Sequence, residues 1–225
     1  FSLTNSYLCR RKMESLKEKT AKGLFWGGMN NGIQQLLGFV FGIIMGRLLN
    51  PDDYGLIAMI TIFSLIATAL QNSGFSTALV NQKEPKANDY NSVFWFNILM
   101  GGAIYTILFL AAPFIADYYD EPRLVSLCRY AFIGLLFSCS GVAQAAYLFK
   151  NLRAKQLAKA RIIATLISSV VAVILAWQGF SYWSLATQTN LFILTSTLLR
   201  WHYSDWRPTL HIDFSFIKKA FPFSV

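Results

Sequence analysis

Charged residues are scarce in this chain of 225 residues. Asp, Glu, Lys and Arg together make up 14% of it, whereas apolar residues make up 55%. An ordinary soluble domain has roughly a quarter charged residues, and the mean hydropathy here is +0.43. The composition excludes a disordered chain and nearly all ordinary soluble enzymes.

Cysteine is also scarce, with three residues in the chain. Cys128 and Cys139 are eleven residues apart on one predicted helix, roughly 16 Å along its axis. That separation is too large for a disulfide bond, and Cys9 lies in a basic N-terminal segment. The sequence therefore excludes a small disulfide scaffold and predicts three plain thiols.

Catalytic and metal-binding motifs are missing. The chain has no H-E-x-x-H, G-x-x-x-x-G-K-[ST] or G-x-S-x-G pattern and no zinc-ligand spacing. We expect no catalytic residue, no metal and no cofactor. The acidic cluster Asp117–Arg123 could supply the carboxylates that a membrane glycosyltransferase uses for metal binding or acid–base catalysis. A solvated turn ended by Pro122 is the favoured interpretation. His202 and His211 are expected to be ordinary interfacial residues.

What the chain has instead is five long stretches without a charged side chain. They are Leu24–Gly46, Tyr54–Gln82, Tyr90–Ala116, Tyr130–Phe149 and Ile162–Leu199. About 20 apolar residues suffice for a helix to cross the hydrocarbon core. The last stretch has 38 residues, and Gly and Ser interrupt it at Trp177–Tyr182. The predicted fold is all-α: a polytopic membrane protein with a six-helix bundle. Its expected spans are about 24–46, 55–80, 93–116, 127–149, 161–177 and 182–200.

Basic residues are distributed unevenly between the two ends of these spans. Of the 20 Lys and Arg residues, only Arg47, Arg123 and Arg129 fall on one side, which leaves 17 on the side of both chain ends. The positive-inside rule then predicts a multi-pass membrane protein with both ends in the cytoplasm. Anionic membrane lipid is the partner that these flanking charges favour, and nucleic acid is not expected.

The predicted spans have a polar but uncharged interior. In the first helix Asn30, Asn31, Gln34 and Gln35 cover an arc of about 140°, next to glycines 38, 42 and 46 that form a ridge for close helix packing. The amides either bond to neighbouring helices or line a polar cavity, and we favour the cavity. No Asp, Glu, Lys, Arg or His lies at mid-membrane depth, so a proton- or sodium-coupling site is not expected here.

Five sequence motifs carry a family resemblance. They are Gly46–Gly55 (GRLLNPDDYG), Phe94–Asn97 (FWFN), Ala112–Tyr119 (APFIADYY), Gly179–Leu185 (GFSYWSL) and Trp206–Pro208 (WRP). In order and spacing, from about residue 14 to the end, the chain resembles the bacterial polysaccharide and oligosaccharide flippases of the multidrug/oligosaccharidyl-lipid/polysaccharide (MATE-like) superfamily. The branch that it resembles best contains exporters of colanic-acid-type and other exopolysaccharides.

The resemblance implies a transporter of two six-helix lobes, of which this chain is the N-terminal one. Its expected parts are a basic cytoplasmic segment over 1–22, a transmembrane lobe over 23–200 and an amphipathic linker to a missing lobe over 201–225. Residues 1–12 precede Met13, and we expect them to be upstream translation or a cropped end rather than part of the fold. The implied substrate is an oligosaccharide on an undecaprenyl diphosphate carrier, with a polysaccharide polymerase and glycosyltransferases as candidate partners.

Within such a lobe the polar residues become candidate substrate contacts. The sugar contacts would be Asn30, Asn31, Gln34, Gln35, Asn72, Asn97 and Gln144. Arg47 and Arg129 at the outer mouth are diphosphate candidates, for which snorkelling to the interface is an equal alternative. Related lipid II flippases use basic residues inside the cavity, and this chain has none at mid-depth.

Two rival functions are weighed against the flippase. A drug or cation antiporter of the same superfamily would be expected to carry membrane-embedded carboxylates, which the spans lack. A membrane enzyme of polysaccharide assembly should have a large loop with Arg, His or acidic clusters, and the longest internal loop is about a dozen residues.

Overall fold

A computed structural model describes residues 2–71, 79–80, 82 and 85–209, with side chains from residue 25 onward. Asn72 and the segment 210–225 lie outside the described residues. The helices of the described part are α1 (Ser2–Leu48), α2 (Pro51–Gln71), α3 (Ala87–Tyr118), α4 (Arg123–Ala131), α5 (Ile133–Cys139), α6 (Val142–Lys150), α7 (Ala154–Trp177) and α8 (Tyr182–Tyr203). The described chain has no strand, and the predicted all-α class is confirmed.

Three of these helices, α2, α3 and α7, are long and apolar enough to cross a membrane. A fourth span is present if α4–α5 and α6, which meet at a bend of 40°, count as one crossing. A helical membrane bundle is therefore confirmed. The number of six spans stays a prediction.

The loops of the bundle gather at two opposite ends. At one end the Ser181 hydroxyl, before α8, donates to the carboxylate of Asp53, in the first turn of α2. At the other end Lys150 Nζ donates to the carbonyl oxygen of Val80 at 2.8 Å, and Arg153 donates to the carbonyl of Tyr203 at 3.0 Å. The bonds of Lys150 and Arg153 join three parts of the chain: the segment between α2 and α3, the segment between α6 and α7, and the end of α8. These are the basic segments of the sequence.

Helix α1 packs along α7, and the two run parallel. Lys155 near the start of α7 lies over the Trp26 ring, 5.1 Å from its centroid. Further along both helices, Met45 packs with Ala172 and Ala176 in one buried apolar cluster. Small alanine side chains on α7 let the two helices approach closely.

The predicted break at Trp177–Tyr182 is confirmed, because α7 ends at Trp177 and α8 begins at Tyr182. Gly179 has φ +88° and Ser181 has φ +46° in this turn, and only glycine adopts such angles at no steric cost. The fourth predicted span, 127–149, is different: we expected one helix, and the structure divides it at Phe132 and again at Ser140–Gly141. At the second division Gly141 packs closely against α8, since a Cβ there would lie 3.0 Å from Thr197 Oγ1.

The chain after α8 is tied back to the bundle. Arg153 pairs with the carboxylate of Asp205 at 2.5 Å. On α3, Asn91 Oδ1 accepts from the Thr209 N–H at 3.2 Å, and Trp95 Nε1 donates to the Thr209 carbonyl at 2.9 Å. The path of residues 204–209 is thus fixed by polar contacts as well as by packing.

Helix α3 packs closely against the broken span where Gly101 faces Cys139. A Cβ added to Gly101 would lie 1.8 Å from Cys139 Sγ and 3.1 Å from its Cβ. Gly102, the next residue, has no atom within 4 Å of the same position. A side chain at residue 101 therefore requires the Cys139 side chain to move.

The Gly101→Ala variant should lower the free energy of unfolding by about 1–3 kcal/mol, because the added methyl group overpacks the α3–α5 contact. Thermal unfolding in detergent measures the effect. Gly102→Ala is the matched control and should leave the melting temperature unchanged. Adding Cys139→Ala to Gly101→Ala should restore part of the stability, and equal loss in both single glycine variants would contradict the assigned contact.

Acid should loosen the segment after α8. The hydrogen bond from Arg153 lowers the pKa of Asp205 below its ordinary value of 3.8. A lowered carboxyl pKa stabilises the folded state above the ordinary pKa, and this contribution is lost as the pH falls through the lowered value. Hydrogen–deuterium exchange over residues 203–209 should therefore rise in that acidic range. The Asp205→Asn variant should exchange faster already at neutral pH, and an unchanged rate there would argue against the pair.

Candidate functional site

The four amides of α1 divide between two faces of the helix. Asn30 is 6% exposed, and Gln34 Oε1 accepts a hydrogen bond from Thr165 Oγ1 on α7 at 2.8 Å. Asn30 Oδ1 and Gln34 Nε2 are buried without a hydrogen-bond partner among the described residues. These two amides belong to the contact with α7, which is the helix-bonding alternative considered above.

The other two amides, Asn31 and Gln35, are exposed on the free side of α1. Their neighbours Leu36 and Phe39 are 68% and 69% exposed. Glycines 38, 42 and 46 have no atom within 4 Å of where a Cβ would stand. In the described part of the chain, this small and polar face of α1 is thus open rather than packed.

Further predicted amides lie inside the bundle. Asn97 is 3% exposed, and its Nδ2 donates to the Val93 carbonyl of its own helix at 2.8 Å. Gln144 on α6 is 0% exposed, and neither its Oε1 nor its Nε2 has a partner in the described chain. Gln71, at the end of α2, donates to Cys139 Sγ at 2.9 Å. Asn72 follows it and lies outside the described residues.

Helix α8 supplies hydrogen-bond donors to the divided span. Asn190 Nδ2 donates to the Tyr130 carbonyl at 2.8 Å. Thr197 Oγ1 and Trp201 Nε1 donate to the carbonyls of Phe137 and Ser140 at 3.3 Å and 2.7 Å. The three donors stand seven and eleven positions apart along α8, so they share one face. Each carbonyl lies within three residues of a helix break, where the regular ladder is interrupted.

Sequence reasoning missed these three donors. The available signal was Gly134 and Gly141 within a single uncharged run, since glycines in a helix mark possible interruptions. At Gly134 an added Cβ would lie 2.6 Å from Asn190 Oδ1, so glycine and donor fit together.

The two arginines that are candidate diphosphate contacts differ in their surroundings. Arg47 is exposed at the end of α1. The Arg129 guanidinium lies over the Phe109 ring, 4.4 Å from its centroid, and Arg129 Nε is buried without a partner among the described residues. A cation held by an aromatic face keeps its charge available to an anion.

The acidic cluster Asp117–Arg123 contains an internal ion pair, between Arg123 and Glu121. Arg123 donates two hydrogen bonds to the Glu121 carboxylate, at 2.6 and 3.0 Å, which lowers the pKa of Glu121. Among the residues that the structure describes, no three His, Cys, Asp or Glu side chains are placed to hold a metal ion.

A cleft of about 330 Å³ opens between α4, α7 and α8. It is lined by Tyr130, Leu175, Phe180, Trp183 and Thr187. The predicted sugar-contact amides are not among these residues. The Tyr130 hydroxyl and Thr187 Oγ1 lie 3.1 Å apart in its wall, and Trp183 packs edge-on against the Tyr130 ring.

A bundle of apolar helices, with uncharged polar groups and an interrupted span, defines a helical membrane protein. Comparison with protein families matches residues 44–225 to the family described as "Polysaccharide biosynthesis protein". The chain belongs to this family.

Three curated relatives align with most of this chain at low sequence identity. It is 24% identical over 205 residues to "Lipopolysaccharide biosynthesis protein WzxC" of Escherichia coli (strain K12), covering 88% of this chain and 41% of the relative. It is 23% identical over 213 residues to "Teichuronic acid biosynthesis protein TuaB" of Bacillus subtilis (strain 168), covering 94% and 44%. It is 29% identical over 165 residues to "Succinoglycan biosynthesis transport protein ExoT" of Rhizobium meliloti (strain 1021), covering 73% and 32%.

The chain thus spans less than half the length of these relatives. No solved structure matches it. The names of the three relatives concern the biosynthesis or transport of polysaccharides, and none of them names an enzymatic reaction.

The Asn190→Ala variant should destabilise the protein by about 1–3 kcal/mol, because the Tyr130 carbonyl beside the first break loses its donor. Thr189→Ala is the control: Thr189 is exposed and bonds only to its own helix, at the Leu185 carbonyl. Thermal unfolding of both variants in the same detergent gives the comparison. Equal melting temperatures for the two variants would show that the donor is dispensable.

Proposed function

We propose that this chain is one lobe of a flippase that moves undecaprenyl-diphosphate-linked oligosaccharide from the cytoplasmic to the outer leaflet of a bacterial inner membrane. The lobe would comprise six spans over residues 23–200, with both ends in the cytoplasm. Residues 1–22 would be its basic cytoplasmic segment and 201–225 the linker to a second lobe. Family membership, and relatives named for polysaccharide biosynthesis and transport, support the proposal.

The observation that carries the proposal is the open amide face of α1. Asn31 and Gln35 are exposed on a helix whose other exposed residues include Leu36 and Phe39. Amides that face lipid would lose their hydrogen bonds to water at a cost of roughly 2–7 kcal/mol each. A water-filled cavity between two lobes removes this cost. It also offers hydrogen bonds to the hydroxyl groups of a sugar that crosses the membrane.

The division of the α1 amides gives each pair a separate role. Asn30 and Gln34 hold α1 against α7, and Asn31 and Gln35 face the substrate. Asn97 and Gln144 are buried within the lobe, so they would contact the sugar only in a conformation that opens α3 and α6. Asn72 continues the same polar set beyond the end of α2.

Charge provides a direction for transport. A diphosphate headgroup with about two negative charges moves down the membrane potential when it moves outward, by roughly 4–5 kcal/mol per 100 mV for the full field. Arg47 and Arg129 would bind the diphosphate at the outer mouth. The Arg129 guanidinium already stacks on the Phe109 ring. Outward flipping is then favoured electrically without a coupling carboxylate in this lobe.

Replacing Asn31 and Gln35 together by Leu should abolish polysaccharide export while leaving the protein folded in the membrane. The side chains are exposed, so leucine meets no packed neighbour, and only the hydrogen bonds offered to substrate are lost. Export is measured as cell-surface polysaccharide after complementation of a strain that lacks the full-length gene, with the variants made in that full-length protein.

Two control variants separate the roles of the two faces. Leu36→Ala, on the same exposed side, should preserve export. Gln34→Leu removes the bond to Thr165 and should lower the melting temperature by loosening α1 from α7. Normal export by the Asn31→Leu/Gln35→Leu variant would exclude the open face from the substrate path.

A further inference from the structure

The α7–α8 hairpin is flanked by two arginines at the same membrane boundary. The uncharged run Ile162–Leu199 forms both arms of the hairpin, and the residues just outside it are Arg161 and Arg200. Folding the run about its turn at residues 178–181 brings its two ends together. Each arginine is thus the first charge that follows the apolar core on its helix, at the level where lipid phosphates lie.

A hydrogen bond fixes the register of the two arms. Gln188 Nε2 on α8 donates to Ser169 Oγ on α7 at 3.1 Å. Counting eight residues from Ser169 and from Gln188, away from the turn, gives Arg161 on α7 and Ser196 on α8. Arg200 follows Ser196 by one helical turn and lies on the same face. The register therefore brings Arg161 of α7 to the same end of the hairpin as Ser196 and Arg200 of α8.

These groups have unused hydrogen-bonding capacity. Arg200 Nε and Ser196 Oγ are buried without a partner among the described residues, and Ser196 is 2% exposed. Neither arginine pairs with a carboxylate in the described chain, where the ion pairs are those of Arg123 and Arg153. Arg161 and Arg200 stand at the two open ends of one hairpin, so their positive charges repel each other. A nearby anion would remove this repulsion and satisfy the donors.

We propose that Arg161, Ser196 and Arg200 form a binding site for the phosphate group of an anionic membrane phospholipid. Guanidinium groups match phosphate oxygens with paired, charge-assisted hydrogen bonds. Basic pockets between helices at this membrane level take acidic lipid headgroups. The bound phosphate neutralises the pair and ties the open ends of α7 and α8 together. The site is separate from the open face of α1 and does not depend on the proposed transport.

Native mass spectrometry of the full chain, with phosphatidylglycerol or phosphatidylcholine added, tests the site. One phosphatidylglycerol should be retained in preference to phosphatidylcholine. The Arg161→Gln/Arg200→Gln variant should bind it roughly tenfold more weakly or worse, as expected for lost charged hydrogen bonds. Arg200→Lys, which keeps the charge but loses the planar fork, should lie between them.

Lys159→Gln is the control for the single variant Arg161→Gln, which removes the same one charge. Lys159 is exposed on α7 two residues before Arg161, and its variant should retain the lipid like the unmodified protein. An equal loss in Lys159→Gln would indicate a diffuse basic surface and overturn the site. Full displacement of the lipid by inorganic phosphate would assign the site to a free anion and overturn the lipid assignment. Thermal unfolding without lipid confirms that the variants are folded, so retention of phosphatidylglycerol by a folded double variant also refutes the proposal.

Discussion

Every backbone carbonyl within hydrocarbon needs a hydrogen-bond donor, and this requirement governs how the bundle is arranged. The breaks beside Phe132 and Gly141 interrupt the helical ladder, and Asn190, Thr197 and Trp201 supply donors there. Using these donors fixes the rotation of α8 about its axis. Its other side is then presented to α7, which in turn supports α1. One local defect in a helix thus determines how the other helices are placed.

The helices, and the turn between α7 and α8, could be predicted from the sequence. Uncharged runs longer than a membrane crossing specify helices, and Gly179 with Ser181 specifies the turn. Gly134 and Gly141 were too weak a signal to predict the breaks in α4–α6, because both lie in an apolar run and glycine is common in continuous membrane helices. The donor Asn190 was missed for the same reason, since its role depends on a break that the sequence does not display.

The candidate site shows the same limit at the level of single side chains. Helical periodicity places Asn30, Asn31, Gln34 and Gln35 on one arc, but it does not say which neighbour covers each part of that arc. Packing against Thr165 on α7 divides the arc into a bonded half and an open half. The candidate contacts therefore become more specific only when the partner of α1 is known. Family membership supplies the chemistry to expect at the open half, because it connects the chain to polysaccharides.

The α7–α8 hairpin also bears on how the chain enters the membrane during synthesis. Its 38 residues from Ile162 to Leu199 contain no charged side chain, and Arg161 and Arg200 stand at its two open ends. Such a hairpin can insert as one unit from the side on which it is made, since neither arginine has to be carried through hydrocarbon. The contacts between its two arms are close in sequence, so they form early. The hairpin would then be in place as a surface on which α1, already synthesised, can dock.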